Sequence, residues 1–393
     1  MTIAQKIESF MTKSSWIRKM FEEGARLKAI HGAENVYDFS LGNPNIEPPK
    51  SFKKKLKEVI NSGASGTHAY MPNPGYPFVR KAVAAYISGE QQATITENEI
   101  IMTCGAAGGM NVIFKTILDP ADEVIALAPY FVEYGFYVDN HGGKLKTVKT
   151  RPDFTLNIDA IQKAITDKVK AIIINSPNNP TGQVYSEDSL KELGNLLADK
   201  SAQFGRTIYL VSDEPYRKIV YDGTAVPGIF PCYKDSILTT SYSKDLSIPG
   251  ERIGFIAVNP AANYKTQLIN GMGLANRILG FVNAPALMQR AIESLQGEKV
   301  DISHYAKKRG LLCSGLEKLG YDFIKPAGAF YLFPRSPISD DVKFVGALQE
   351  ERILAVPGTG FGWPGHFRLA YCVDNDTITN SMPGFEKALQ RFQ

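Results

Sequence analysis

The sequence predicts an α/β protein, a large domain with a mostly parallel seven-stranded sheet flanked by helices, plus a smaller α+β domain. Three observations carry that expectation. From about residue 97, short β-branched runs alternate with longer amphipathic ones, the pattern of strands joined by crossover helices. After Ala284 the pattern changes to a long helical segment, a glycine-proline break at 325–328, and less regular strands and helices. The length, 393 residues, suits two to three domains at about 150 residues each.

Taken in order, the strands are expected at 99–103, 123–127, 144–148, 169–175, 207–211, 237–240 and 253–258. Between them lie helical stretches at 107–118, 131–140, 158–165 and 187–203. The last follows Ser186, a good N-cap, and puts Asp188 in its first turn where the helix dipole favours negative charge. A helical pattern at 17–27 precedes the Gly42-Asn43-Pro44 break. The expected division is 1–45 joining the small domain, 46–285 as the large domain, and 286–393 as the small domain.

Composition narrows the class. Hydrophobic residues at 44% and charged residues at 21% are ordinary for a globular chain, which excludes a disordered, collagen-like or rod-like protein. The net charge is +4 and no basic run exceeds Lys53-Lys54-Lys55, so a dedicated nucleic-acid binder is not expected. Cys104, Cys232, Cys313 and Cys372 stand alone, as free thiols in a reducing compartment do. His31, His68, His141, His304 and His366 have no metal-ligand spacing, and no metal is assigned. The first 20 residues lack a signal peptide's apolar stretch, and no segment is long enough for a membrane span. The expected location is the cytoplasm.

In open α/β sheets ligands bind at the carboxyl ends of strands, and four such ends carry unusual groups. Thr103-Cys104-Gly105-Ala106-Ala107-Gly108-Gly109 leads from a strand into a helix; its bare amides suit a phosphate, though small residues equally serve close helix-sheet packing. Asn175-Ser176-Pro177-Asn178-Asn179-Pro180-Thr181-Gly182 is either an ordinary loop or a rigid one presenting an amide to a ligand. Asp213, in Ser212-Asp213-Glu214-Pro215-Tyr216, needs a cationic or proton-donating partner, which a salt bridge or helix cap would also provide. Lys244 closes Ser241-Tyr242-Ser243-Lys244, with Pro249-Gly250-Glu251-Arg252 shortly after. A desolvated lysine becomes nucleophilic toward carbonyls, whereas most lysines are solvated surface groups. Their coincidence on successive strands decides between the readings. An anion site, an acid and a lysine together suit a phosphorylated aromatic aldehyde.

These motifs, from Ser40-Leu41-Gly42-Asn43-Pro44 to Phe367-Arg368-Leu369, resemble the fold-type I pyridoxal-phosphate enzymes, and within them the class I/II aminotransferases related to aspartate aminotransferase. The resemblance implies an aminotransferase moving an amino group between an L-amino acid and a 2-oxo acid by a ping-pong mechanism. Other reactions of the scaffold are a β-lyase or a decarboxylase, and a non-catalytic regulatory module is a remoter alternative. Pyridoxal 5′-phosphate is the implied cofactor, carried by Lys244 as a Schiff base. Asp213 pairs with its ring nitrogen, Tyr216 and Asn179 with its phenolic oxygen, and Phe131 stacks on its ring. Gly105, Ala106, Ala107, Ser241, Ser243 and Arg252 hold the phosphate, joined by Tyr70 from the partner of a homodimer whose active site lies at the subunit interface. Gly42, Phe131, Asn179 and Arg368 take the substrate, with Arg368 on its α-carboxylate. Some dicarboxylate-specific relatives have a lysine where Ala107 stands, and Arg277 or Arg18 would be an alternative cation. Aspartate, alanine, an aromatic or another neutral amino acid therefore stays open. The resemblance also implies a cis peptide at Asn179-Pro180.

Overall fold

The computed structural model describes residues 3–12 and 16–392, the side chains of Thr12, Ile17, Arg18 and Phe21 excepted. One sheet dominates it. Its strands are β1 (Ile100–Thr103), β2 (Glu123–Ala128), β3 (Lys144–Lys149), β4 (Val169–Asn175), β5 (Tyr209–Asp213), β6 (Ser236–Ser241) and β7 (Gly254–Val258). They lie in the order β1-β7-β6-β5-β4-β2-β3. Strand β7 runs antiparallel to both neighbours, and every other pair is parallel.

The central strands are apolar on both faces because helices cover both. Ile125, Leu127, Ile172, Ile174, Leu210 and Leu238 enter one core. Their sequence neighbours Val124, Ala126, Ala171, Ile173, Val211 and Ile237 enter the other, as a period of two requires. Helices Pro77–Gln91, Ile158–Ala164 and Glu187–Phe204 bury residues in the first core. Helices Gly105–Ile117, Glu133–Asp139 and Lys265–Ile278 do so in the second. Ser186 caps its helix through a 3.2 Å bond from the Ser189 amide, and Gly205 ends it at φ 62°. Edge strand β3 is protected by Lys144, Lys146 and Lys149.

Register places the functional strand ends side by side. Asn175 pairs with Asp213, Asp213 with Thr239, and Ser241 with Gly254, which also faces Thr103. Gly254 is required at that junction, because a Cβ would stand 2.4 Å from the Thr240 carbonyl oxygen and 3.0 Å from the Gly105 backbone.

A further core joins the two ends of the chain. Met20 and Phe39 pack there with Leu312, Phe330, Phe344, Phe367 and Phe385. Tyr37–Asp38 pairs in parallel with Ile353–Leu354, and Val356–Pro357, Phe367–Ala370 and Tyr331–Leu332 form a three-stranded antiparallel sheet. Helix Ala286–Ile292, which follows the boundary expected at 285, buries Met288, Ala291 and Ile292 in the first core of the large sheet.

Most element limits shift by one or two residues from the sequence reading, and three shifts matter. Strand β5 extends to Asp213 and β6 to Ser241, so both side chains are held by the sheet. The helix expected from 131 begins at Glu133, which leaves Phe131 in the preceding loop. The helix expected from 107 begins at Gly105, which places Ala106 and Ala107 in its first turn. Among the described residues no helix is long and apolar enough to cross a membrane.

Candidate active site

A cleft of about 340 Å³ opens at the carboxyl edge of the sheet, where it meets Leu41, Gly42, Tyr331 and Arg368. It is lined by Ala106, Ala107, Phe131, Asn179, Asp213, Tyr216, Ser241, Ser243, Lys244 and Arg252 as well.

At the floor, the Tyr134 hydroxyl donates to Asp213 Oδ2 at 2.7 Å, while Oδ1 is buried with no partner among the described residues. Burial raises the Asp213 carboxyl to about 7, with Glu214 adding to the rise and the Tyr134 bond opposing it. A buried carboxyl with one oxygen unsatisfied awaits a cation or a proton donor. Asn175 braces the floor, giving its side-chain amide to the Asp213 carbonyl at 2.8 Å and taking the Asn179 backbone amide at 2.7 Å. The Asn179-Pro180 peptide is cis, as are Ala128-Pro129 and Ser176-Pro177.

Lys244 Nζ donates to the Gly42 carbonyl at 2.8 Å. Burial lowers this amine to about 8, and the positive Arg368 and Arg252 push in the same direction against Cys372. A neutral fraction of amine is therefore present near neutral pH, as attack on a carbonyl requires.

One end of the cleft is built for an anion. Gly105 opens its helix at φ 71°, and a Cβ there would stand 3.0 Å from Arg252 Nη2. Arg252 gives its other Nη to the Pro249 carbonyl at 2.9 Å. Ala106 and Ala107 of this helix start, the Arg252 guanidinium, Ser241 and Ser243 all line the cleft.

Arg368 lines the same cleft. Its Nη1 donates to Asn179 Oδ1 at 3.0 Å and its Nη2 to the Ser40 carbonyl at 2.5 Å, while Nε is buried without a partner among the described residues. Its guanidinium lies 4.7 and 4.9 Å from the ring centroids of Tyr331 and Phe361. No carboxylate accepts from this buried cation among the described residues, so it presents its charge to an incoming anion.

The structure gathers every residue expected to touch cofactor or substrate except Gly105, which backs Arg252, and Tyr70. Tyr70 is 89% exposed and does not line the cleft. Arg277 is exposed and likewise does not line it, and the side chain of Arg18 lies outside the described residues. Sequence reasoning missed Tyr134 and Tyr331. Neither carried a signal in the sequence that set it apart from core, although in the structure the Tyr134 ring meets that of Phe131 edge-on at 5.7 Å.

The family model described as aminotransferase class I and II matches residues 33–382. The chain belongs to that family. Its curated relatives include the aspartate/prephenate aminotransferase of Thermus thermophilus, 31% identical with 90% of each chain covered. The aromatic-amino-acid aminotransferase 2 of Thermococcus litoralis is 28% identical, with 99% of each covered. Among solved structures, an aminotransferase from Eubacterium rectale superposes with a TM-score of 0.97 at 40% identity over 100% of both chains. The Thermus thermophilus aspartate aminotransferase with maleate gives 0.87 at 27% identity over 99% of this chain and 100% of that one.

This aminotransferase is thus a pyridoxal-phosphate enzyme that takes amino acid and 2-oxo acid substrates. Its residues fit the cofactor on their own chemistry. The unsatisfied Asp213 Oδ1 suits a protonated ring nitrogen, the amides beside Arg252 suit a phosphate, and Lys244 suits a carbonyl.

Proposed function

We propose that Lys244, Asp213 and Tyr216 are the catalytic groups of this transaminase, and that Gly105, Ala106, Ala107, Phe131, Asn179, Ser241, Ser243 and Arg252 hold the cofactor with them. Gly42, Phe131, Asn179 and Arg368 bind the amino acid. When bound, pyridoxal phosphate supplies a carbonyl for the amine and an electron sink for the charge left on the substrate Cα. Asp213 keeps a proton on the ring nitrogen through its unpartnered oxygen. Tyr216 orients the phenolic oxygen, O3′. Arg368 grips the α-carboxylate and so fixes the Cα–H bond near Lys244. Lys244 would serve as the base that moves the proton between the substrate Cα and the cofactor's carbonyl carbon, C4′.

The observation that carries this reading is the opposition of two shifts in one cleft, an acid raised to about 7 at Asp213 and an amine lowered to about 8 at Lys244. The test is Lys244→Ala. The variant is expected to lose the lysine-bound absorption band of the cofactor and at least about a thousandfold in turnover; near-normal activity would sink the assignment.

We also propose a cytoplasmic homodimer with its active sites at the subunit interface, each Tyr70 serving its partner's phosphate site. The exposure of Tyr70, together with exposed Phe78, Leu274 and Ile278, supports it, and four free cysteines suit a reducing compartment. Sedimentation should report the dimer, and Tyr70→Phe should weaken cofactor affinity. Residues 1–45 are proposed to join the carboxyl-terminal part around the Met20–Phe39 core, with the junction to the large domain near residue 296–300.

A further inference from the structure

Among the described residues, five ionisable acids and bases other than tyrosine line the cleft: Lys244, Arg252, Arg368, Asp213 and Glu133. Under the function proposed above, on which this inference rests, four of them have counterparts. Lys244 meets the carbonyl, Arg252 the phosphate, Asp213 the ring nitrogen and Arg368 the α-carboxylate. Glu133 is the remainder.

Glu133 makes no hydrogen bond or ion pair among the described residues, and its carboxyl is held above the ordinary range by burial, with no neighbouring charge contributing. Its surroundings place it beside the reacting groups. It opens the turn from which Tyr134 reaches Asp213, two residues beyond Phe131. Tyr137, one turn further, also lines the cleft, and its phenol is raised by burial and then by the Glu133 charge. An acid in a first helical turn is favoured by the helix dipole, but that preference is met equally well by an exposed side chain. It does not explain a half-buried carboxylate facing a ligand cleft.

The cations tell the same story from the other side. Ala107 offers only a methyl group and Arg277 does not line the cleft, so among the described residues of one subunit no lining cation is left over for a second substrate carboxylate.

We propose that Glu133 is a specificity-determining residue that faces the substrate side chain, favouring amino acids whose side chains carry a hydrogen-bond donor or a positive charge and rejecting dicarboxylic ones. A carboxylate brought against Glu133 meets like charge without a counter-ion, whereas an amide, hydroxyl or ammonium group satisfies the vacant acceptors.

The test uses the holoenzyme and two unreactive probes, maleate and butyrate, with binding measured by calorimetry. The wild type is expected to bind maleate more weakly than butyrate. Glu133→Gln should tighten maleate about tenfold and leave butyrate within about twofold, because only the like-charge contact is removed. In single-turnover assays the same variant should raise the aspartate-to-lysine ratio of kcat/KM. Maleate binding to the wild type as tightly as butyrate, or an unchanged maleate affinity in Glu133→Gln, would overturn the proposal. Both measurements are read with the lysine-bound cofactor band present. A wild type without that band, inert toward every amino acid, fails the functional reading itself and takes the inference with it.

Discussion

The hydroxyls of Tyr216 and Tyr331 lie 2.7 Å apart, joining the loop after β5 to the strand Tyr331–Leu332 of the other core. Burial raises the Tyr216 phenol well above its ordinary value, and the bond to Tyr331 raises it further. The same Tyr331 ring covers one face of Arg368. One side chain thus ties the proposed O3′ ligand to the proposed carboxylate clamp.

Tyr331→Phe removes the hydroxyl and keeps the ring. Stability to denaturant should fall by about 1 kcal/mol, the usual worth of a buried hydrogen bond, with KM for the amino acid little changed. Tyr331→Ala removes both and should cost about 3–5 kcal/mol, with KM rising as well because Arg368 loses its aromatic cover. Equal KM values in the two variants would show that the ring does not support the clamp.

Arg368→Lys retains a positive charge but loses the planar fork whose Nη atoms are 3.0 Å from Asn179 and 2.5 Å from Ser40. An ammonium group cannot serve those acceptors and a carboxylate together. The expected loss is about 1.5–3 kcal/mol of substrate binding, which is roughly a tenfold to hundredfold rise in KM. Steady-state kinetics would reveal it, and an unaltered KM would remove Arg368 from the substrate.

Asp213 and Lys244 were legible in the sequence because an acid and a base at the ends of apolar strands violate the pattern around them. The strands themselves were legible for a related reason, since Ile172-Ile173-Ile174 can alternate between two covered faces. Tyr134 and Tyr331 were not, because an aromatic residue in an apolar run is by default core, and their partners lie 79 and 115 residues away. Glu133 was hidden for the opposite reason: a glutamate in the first turn of the helix expected at 131–140 reads as a helix start. Tyr70 could be matched by motif, yet a single chain leaves it 89% exposed and outside the cleft.

The shifted groups predict a pH dependence for the chain before cofactor is loaded. Asp213 is raised from 3.8 to about 7, so between those values the folded state binds the extra proton and stability falls as pH rises. Lys244 is lowered from 10.5 to about 8, so from about 8 upward the unfolded state holds the extra proton and stability rises again toward 10.5. Urea titrations across pH should show both limbs. Asp213→Asn should flatten the acid limb and Lys244→Met the alkaline one; a profile unaffected by either substitution would contradict the buried titrations.

Gly42 gives the last prediction, and it returns to Tyr331. A Cβ at Gly42 would stand 2.0 Å from the Tyr331 hydroxyl oxygen and 2.7 Å from the ring carbon that bears it, far inside contact distance. The Gly42 carbonyl also accepts from Lys244, so any displacement of this backbone moves the partner of the reactive amine. Gly42→Ala should therefore lose about 1–3 kcal/mol of stability through overpacking and slow turnover as well. The three atoms nearest the added methyl all belong to Tyr331, which makes this clash separable from the general loss of a flexible residue. A Tyr331→Ala background removes those three atoms, and Gly42→Ala should then cost less than it does alone. A double-mutant cycle gives the coupling directly, and strictly additive losses would show that the methyl group is accommodated without meeting Tyr331.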